Sequence, residues 1–322
     1  MIIKSTTEQI MDLSVDLGTS MVKGATRKGA DIITAKIPNR TQVNNPANKS
    51  QCRYVEVQGE QGIYIGIGKL NNNVAKHSRE NLLEQVIAMA NEFYGDTKRL
   101  MINLKLGLPF KLYDNDKFVN ELKSKFKTNT WIDYKFNDET DKSLYINKIE
   151  VHIEGYSAFE SIIDKVGIQQ RILLLDVGGE TTDLASFTYN YETNEYDTDD
   201  VFTVEKGVIS LVGEITKAIN DSIGGDIESG HIDNLLRAGQ TTVFYAGADH
   251  RIVDYIGAID KSVKDMVNEI TNQFGSLDNY CIVGLGGGFD VFNTIANQYI
   301  KANIELNSDS RFYANAIGYL GE

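Results

Sequence analysis

Apolar and polar positions along the chain follow two rhythms, a period near two and a period near 3.6, and the change of rhythm falls at glycine-rich corners. Strand character opens the chain at Leu13–Asp16, Met21–Thr26 and Ile32–Ile37, joined by tight turns. The polar, Asn-rich stretch Asn39–Ser50 reads as a loop, and strands are expected at Tyr54–Val57 and Ile63–Ile67. Between Asn81 and Phe93, Leu82, Leu83, Val86, Ile87, Ala90 and Phe93 recur at helical spacing. A strand at Arg99–Leu108 ends at Pro109, a helix is expected near Asp116–Phe126, and strands at Trp131–Phe136 and Leu144–Ile153 lead to a helix at Tyr156–Lys165.

The second half opens in the same way. Ile172–Leu175 is a continuous apolar run, as expected of a central strand buried on both faces. It meets Asp-Val-Gly-Gly at 176–179, a polar turn, and a second strand at Leu184–Tyr189. Another strand is expected near Val201–Glu205, and then a helix over Ser210–Ile223 with Leu211, Val212, Ile215, Ile219 and Ile223 on one face. Gly224–Leu277 reads as mostly helical. A strand at Tyr280–Val283 runs into the glycine run Gly284–Gly288, and a helix is expected from there to about Lys301. The segments Val15–Ser20 (VDLGTS) and Leu175–Thr182 (LDVGGETT) lie 160 residues apart in a chain of 322. Each places an aspartate at a strand end before glycine and hydroxyl residues, so two similar lobes facing each other across a cleft are expected.

Composition narrows the function. Apolar residues make up 42% and prolines number three, as expected of a folded chain long enough for two domains. The net charge of −13 argues against direct contact with nucleic acid or an anionic membrane and favours basic partners. Cys52 and Cys281 suggest neither a disulfide framework nor a zinc site, which fits a reducing cytoplasm. No apolar run approaches the ~20 residues of a membrane span. Met1–Ile10 lacks the apolar centre of a signal peptide and reads as a short leader.

Binding a polyphosphate needs backbone N–H groups at close range, which glycine permits. Gly18 and Thr19 suit one side of it, and Gly178, Gly179 and Thr181 the other; Thr19, Ser20, Thr181 and Thr182 add hydroxyls. Lys23 can bring positive charge to the phosphates. Asp16 and Asp176 would repel phosphate unless a divalent cation lay between, and Mg²⁺ held through water suits that role. Either motif alone also fits a plain hairpin corner; the pair at matching places favours the ligand. Strand alternation puts Glu150, His152 and Glu154 on one face, with Glu154 last, where a carboxylate can orient water toward a γ-phosphate. A solvated glutamate is the alternative for Glu154, and His152 is a second candidate base that also fits simple packing. The run Gly284–Gly288 can pass close under an adenine or ribose. It fails the dinucleotide pattern because Phe289 stands where the last glycine is required. Gly62–Lys69 is no Walker motif: its spacing is one too long and Leu70 follows, so it reads as a strand with flanking turns.

With these pieces placed, the chain resembles the actin, sugar-kinase and heat-shock-ATPase superfamily over nearly its whole length. The first phosphate motif of that superfamily resembles Val15–Gly24, the second resembles Leu173–Phe187, and the adenosine motif resembles Ile282–Phe292. The two interdomain connections resemble His152–Ile162 and Arg311–Gly321. Within the superfamily, EGYSAFESI from Glu154 and GVISLVGEITKAI from Gly207 are most similar to the plasmid-segregating ParM group of bacterial actin-like proteins.

The resemblance implies an α/β, two-lobed actin-like (ribonuclease H-like) fold with a nucleotide cleft between two similar domains. Domain I would span 1–155 plus 310–322 with an insertion at about 39–95, and domain II 156–309 with an insertion at about 224–278. It implies ATP, ADP after hydrolysis, and Mg²⁺ near Asp16 and Asp176. Glu154, Asp176 and Asp16 would be catalytic. Gly18, Thr19, Ser20, Lys23, Gly178, Gly179, Thr181, Lys217, Gly286, Gly287 and Gly288 would bind nucleotide, although Lys217 also fits a solvated helix position. The expected function is a cytoplasmic ATPase polymerising into filaments for plasmid segregation. Its partners would be copies of itself and a basic DNA-binding adaptor, with no direct nucleic acid and no membrane. The chain ends almost at the second connection, so no long membrane-binding tail is expected. A small-molecule kinase or a non-polymerising nucleotide-binding scaffold on the same fold is the alternative.

Overall fold

A computed structural model describes residues 9–50, 52–70, 75–137, 140–304 and 306–321. The expected leader lies outside them up to Glu8. Two units are distinguished by contact: Met1–Ser161 with Tyr313–Glu322, and Ile162–Phe312.

Strands of the first unit are β1 (Ile10–Leu17), β2 (Met21–Lys28), β3 (Asp31–Pro38), β4 (Arg40–Gln42), β5 (Arg53–Val57), β6 (Ile63–Ile65), β7 (Lys69–Leu70), β8 (Arg99–Leu108), β9 (Trp131–Phe136) and β10 (Thr140–Ile153). They form one mixed sheet in the order β3-β2-β1-β8-β10-β9-β5-β6-β4-β7. Only β1–β8 and β8–β10 pair in parallel. Their apolar residues alternate with polar ones along β8 and β10, so one face of each packs into the core. Leu13, Val15 and Leu17 of β1 pack with Leu104, Leu106 and Leu108 of β8 in the core. The helix Leu82–Tyr94 closes one face, burying Leu82, Val86, Ile87, Met89, Ala90 and Phe93. Full burial of each large aliphatic is worth about 1.5–3 kcal/mol. Gly24 of β2 sits under this helix, where any Cβ would run into Met89.

The second unit holds β11 (Arg171–Val177), β12 (Thr182–Asn190), β13 (Glu195–Val204), β14 (Thr242–Tyr245), β15 (Ala248–Arg251) and β16 (Cys281–Leu285). Its main sheet runs β13-β12-β11-β16, with β11–β16 parallel and the other pairs antiparallel. That is the pattern of β3-β2-β1-β8: an antiparallel meander whose first strand takes a parallel partner on its other side. The sequence echo is therefore an echo of topology, and each aspartate motif ends the same strand of its sheet.

Several elements differ from expectation. Gly224–Leu277, read as mostly helical, contains helices at Ser229–Arg237 and Asp260–Phe274 but also the hairpin β14–β15. Its turn is Ala246-Gly247, both at positive φ, and alanine gives no turn signal. The helix expected over Tyr156–Lys165 splits into Tyr156–Glu160 and Ile163–Val166. The last strand of the second meander starts at Glu195 rather than Val201, because its acidic first half is exposed and carries no apolar signal. The helix after the glycine run ends at Ala296.

Candidate functional site

The turn between β1 and β2 is gripped from its own unit. Gly18 allows it, since a Cβ there would meet the Met21 carbonyl oxygen at 2.6 Å. Arg79 donates to the Leu17 carbonyl at 2.8 Å and to Thr19 Oγ1 at 3.1 Å. Asn39, fully buried, donates from Nδ2 to the carbonyls of Gly18 and Thr19, and its backbone N–H reaches the Ser20 carbonyl. Gln85 donates from Nε2 to the side-chain Oδ1 of Asn39 at 2.7 Å. Neither Arg79 nor Asn39 was visible as a site residue, because each sits in a polar stretch far from the motif it supports.

Asp16 and Lys23 are directly opposed in the β1–β2 register, so their spacing of seven makes them a cross-strand pair. Lys23 Nζ donates to Asp16 Oδ2 at 3.0 Å. The other Asp16 oxygen, Oδ1, receives Lys76 Nζ at 3.0 Å, and the same ammonium donates to Glu154 Oε1. Burial pushes the Asp16 carboxyl up, but Lys23 and Lys76 outweigh it and hold the group well below the usual carboxylate range. Burial likewise opposes the Lys76 charge, yet Glu154 and Asp16 raise its pKa above the ordinary lysine value. Glu154 ends β10, its N–H bonded to the Leu108 carbonyl, and Gly155 follows at φ +78° with its N–H on Asn315 Oδ1. His152 stacks on Tyr319 at 5.7 Å, so it packs rather than joining Glu154.

In the second unit three segments converge. The turn 178–181 closes through the Gly178 N–H on the Thr181 carbonyl. The carbonyls of Gly178 and Gly179 accept from the first N–H groups of the helix Val208–Ile223, those of Val208 and Ile209. This approach needs Gly207, where a Cβ would lie 2.6 Å from the Gly179 carbonyl. Gly288 N–H bonds the Val177 carbonyl, and a Cβ on Gly288 would lie 2.7 Å from the Gly178 oxygen. Gly286, at φ +89°, passes so close to Asp176 that a Cβ would collide with its carboxylate. Arg237 donates to the Gly287 carbonyl. The glycine run, the Asp176 turn and a helix N-terminus thus meet in one close-packed backbone cradle, closed by the N–H groups of Gly178, Val208, Ile209 and Gly288. Thr181 Oγ1 is 3.3 Å from Asp183 Oδ2. Lys217 is exposed on the helix, and its side chain makes no hydrogen bond or ion pair among the described residues. Glu214, one turn earlier, accepts from Ser262 and lies 3.9 Å from Lys206.

The two halves differ in charge. Position for position, Asp16 faces Lys23 across its hairpin, whereas Asp176 faces Asp183. Two opposed carboxylates, Asp183 accepting from Thr203 at 2.6 Å and from Thr181 at 3.3 Å, are ligands of the kind that hold a hydrated Mg²⁺, while Asp16 has an ammonium on each oxygen. No group of three or more His, Cys, Asp or Glu side chains among the described residues makes a metal cage by itself.

This fold is the actin-like fold: two α/β units, each with the same meander and parallel partner and each with an aspartate turn in its first hairpin. Solved structures share it over nearly the whole chain. An archaeal actin homolog, Ta0583, matches with TM-score 0.75 at 17% identity, covering 96% of this chain and 98% of that one; its ADP complex matches at 0.74 and 15%, with the same coverage. A non-polymerisable quadruple mutant of pCBH ParM gives 0.73 at 21%, covering 97% and 98%. A 15-stranded ParM filament from Clostridium botulinum gives 0.71 at 20%, with the same two coverages. No family model and no curated protein sequence matches the chain.

Proposed function

We propose that this chain binds Mg-ATP, hydrolyses it, and assembles with copies of itself into filaments that segregate plasmid DNA through a basic adaptor in the cytoplasm. One observation carries the nucleotide reading: Gly178–Gly179, Gly286–Gly288 and the start of the helix Val208–Ile223 share one cradle, with contacts that only glycine allows. In the second unit the Gly179 and Thr181 amides of that turn would hold phosphate, with Glu214 and Lys217 offering polar contacts to a nucleoside; in the first unit the turn of Gly18, Thr19 and Ser20 offers backbone donors of the same kind. Asp176 and Asp183 would hold Mg²⁺ through its waters, where the ion screens phosphate charge. Glu154, held by Lys76 at a strand end, would accept a hydrogen bond from the attacking water and fix its direction. Lys23 would keep Asp16 ionised and oriented. A structural relative solved with ADP and another solved as a filament support the two halves of this reading. The net charge of −13 supports a basic adaptor between polymer and DNA.

Light scattering, pelleting and electron microscopy with Mg-ATP, Mg-ADP and a non-hydrolysable ATP analogue test the proposal. Polymer is expected with ATP and the analogue and should persist only with the analogue. No polymer at high protein concentration refutes the filament reading. Glu154→Ala should slow phosphate release by at least tenfold; unchanged release removes Glu154 from its role.

A further inference from the structure

We propose that Lys76 is an internal counter-ion that denies the Asp16–Glu154 pair to free divalent cations, so that metal enters this half of the site only in company with phosphate. The inference rests on the nucleotide-binding reading above and adds to it a control on metal access.

The side chain of Lys76 is 7% exposed, and its one nitrogen contacts carboxylates from two elements distant in sequence, Asp16 at the end of β1 and Glu154 at the end of β10. Two carboxylates that reach a common nitrogen are spaced to share a cation of any kind. A hydrated divalent ion and an ammonium cannot occupy that place together. With Lys23 on the second Asp16 oxygen and the Arg79 guanidinium close to Lys76, the two carboxylates are met by enough positive charge to leave nothing that draws a metal. The position of Lys76 is fixed by the three residues that follow it. His77 stacks on Phe118 at 4.4 Å, Ser78 reaches Glu121, and Arg79 binds the carbonyl of Leu17, one residue beyond Asp16. A lysine there for solubility alone would not be buried and clamped by its neighbours. Removing the Lys76 ammonium empties the place that Asp16 Oδ1 and Glu154 Oε1 share, and a divalent ion can then enter it even with Lys23 and the Arg79 guanidinium nearby.

The test compares nucleotide-free proteins by Mn²⁺ electron paramagnetic resonance. Lys76→Gln should gain one saturable Mn²⁺ site, at least tenfold tighter than any site of the unaltered protein. Lys76→Arg, which restores a cation, should bind Mn²⁺ as the unaltered protein does. The gained site should vanish when Asp16→Asn is added to Lys76→Gln. Circular dichroism and thermal unfolding verify folding, and Lys76→Ala replaces Lys76→Gln if that variant fails to fold. A merely structural lysine would change stability but not the Mn²⁺ signal. Equal Mn²⁺ binding with and without the Lys76 charge, or a gained site that survives Asp16→Asn, overturns the proposal. Titration of the unaltered protein with a fluorescent ATP analogue is run alongside. Failure to bind it refutes the nucleotide reading, while the Mn²⁺ comparison still decides the role of Lys76.

Discussion

At the scale of single residues, position in the ladder converts sequence spacing into chemistry. Asp16 and Lys23 are seven apart, as are Asp176 and Asp183, and both spacings are opposed pairs across a hairpin. Lys23 was expected to bring its charge to phosphate, and the charge it meets is the Asp16 carboxylate. Lys76 was not legible, because nothing local in Ala75–Arg79 distinguishes it from a surface lysine. Gly286 combines φ +89° with contact against Asp176 and Val177. Gly286→Ala should therefore cost about 2–4 kcal/mol through strain and collision and abolish binding of a labelled ATP, as read by denaturant unfolding and fluorescence titration. His152 has its pKa lowered, first by burial and then by Lys105, with Glu150 opposing. The unfolded chain takes up that proton near 6.5 while the folded protein resists it. Stability is then fully present above about pH 6.5 and falls as pH drops below it. His152→Phe, which keeps a ring against Tyr319, should flatten that slope in unfolding midpoints measured from pH 5 to 8.

At the scale of elements, the long periodic segments were the most readable. The helix Leu82–Tyr94 and the strands β1, β8 and β11 stand close to where the apolar pattern put them, because each buries a face or both faces. The hairpin β14–β15 and the acidic start of β13 were missed, since most of their residues are exposed and give no apolar alternation, and the turn at Ala246 gives no signal. The two segments expected to connect the domains pack against each other within the first unit. A Cβ on Gly318 would strike the Ser157 carbonyl, and Ser161 donates to the Ala314 carbonyl. Gly213, inside the helix Val208–Ile223, has nothing within 4 Å of a Cβ. Gly318→Ala should destabilise by about 1–3 kcal/mol, whereas Gly213→Ala should stabilise by about 0.5–1 kcal/mol. Thermal and urea unfolding of the two variants make the comparison.

At the scale of the whole molecule, the repeated sheet pattern explains why one motif occurs twice. Each meander delivers its aspartate to the carboxyl end of its first strand, which lies inside its sheet beside a parallel partner. Under the proposed function, Mg-ATP at 100 times its Kd should raise unfolding free energy by about 2.7 kcal/mol. Calorimetry with and without Mg-ATP measures this. A stabilisation absent from both the unaltered protein and Glu154→Ala would refute nucleotide binding, whereas one present in both would confine the role of Glu154 to turnover. No helix among the described residues is long and apolar enough to cross a membrane.

The sequence by itself determined the alternation of strands and helices, the duplicated aspartate turns and the glycines near them, because burial periodicity and backbone freedom are local properties. Only the tertiary structure decided that Gly286–Gly288, Gly207 and Gly178–Gly179 meet, and that Lys76 and Arg79 reach back to the first turn. Those meetings join residues tens to more than a hundred positions apart. No local pattern records them, since they follow from strand order and from the need of each buried charge and carbonyl for a partner.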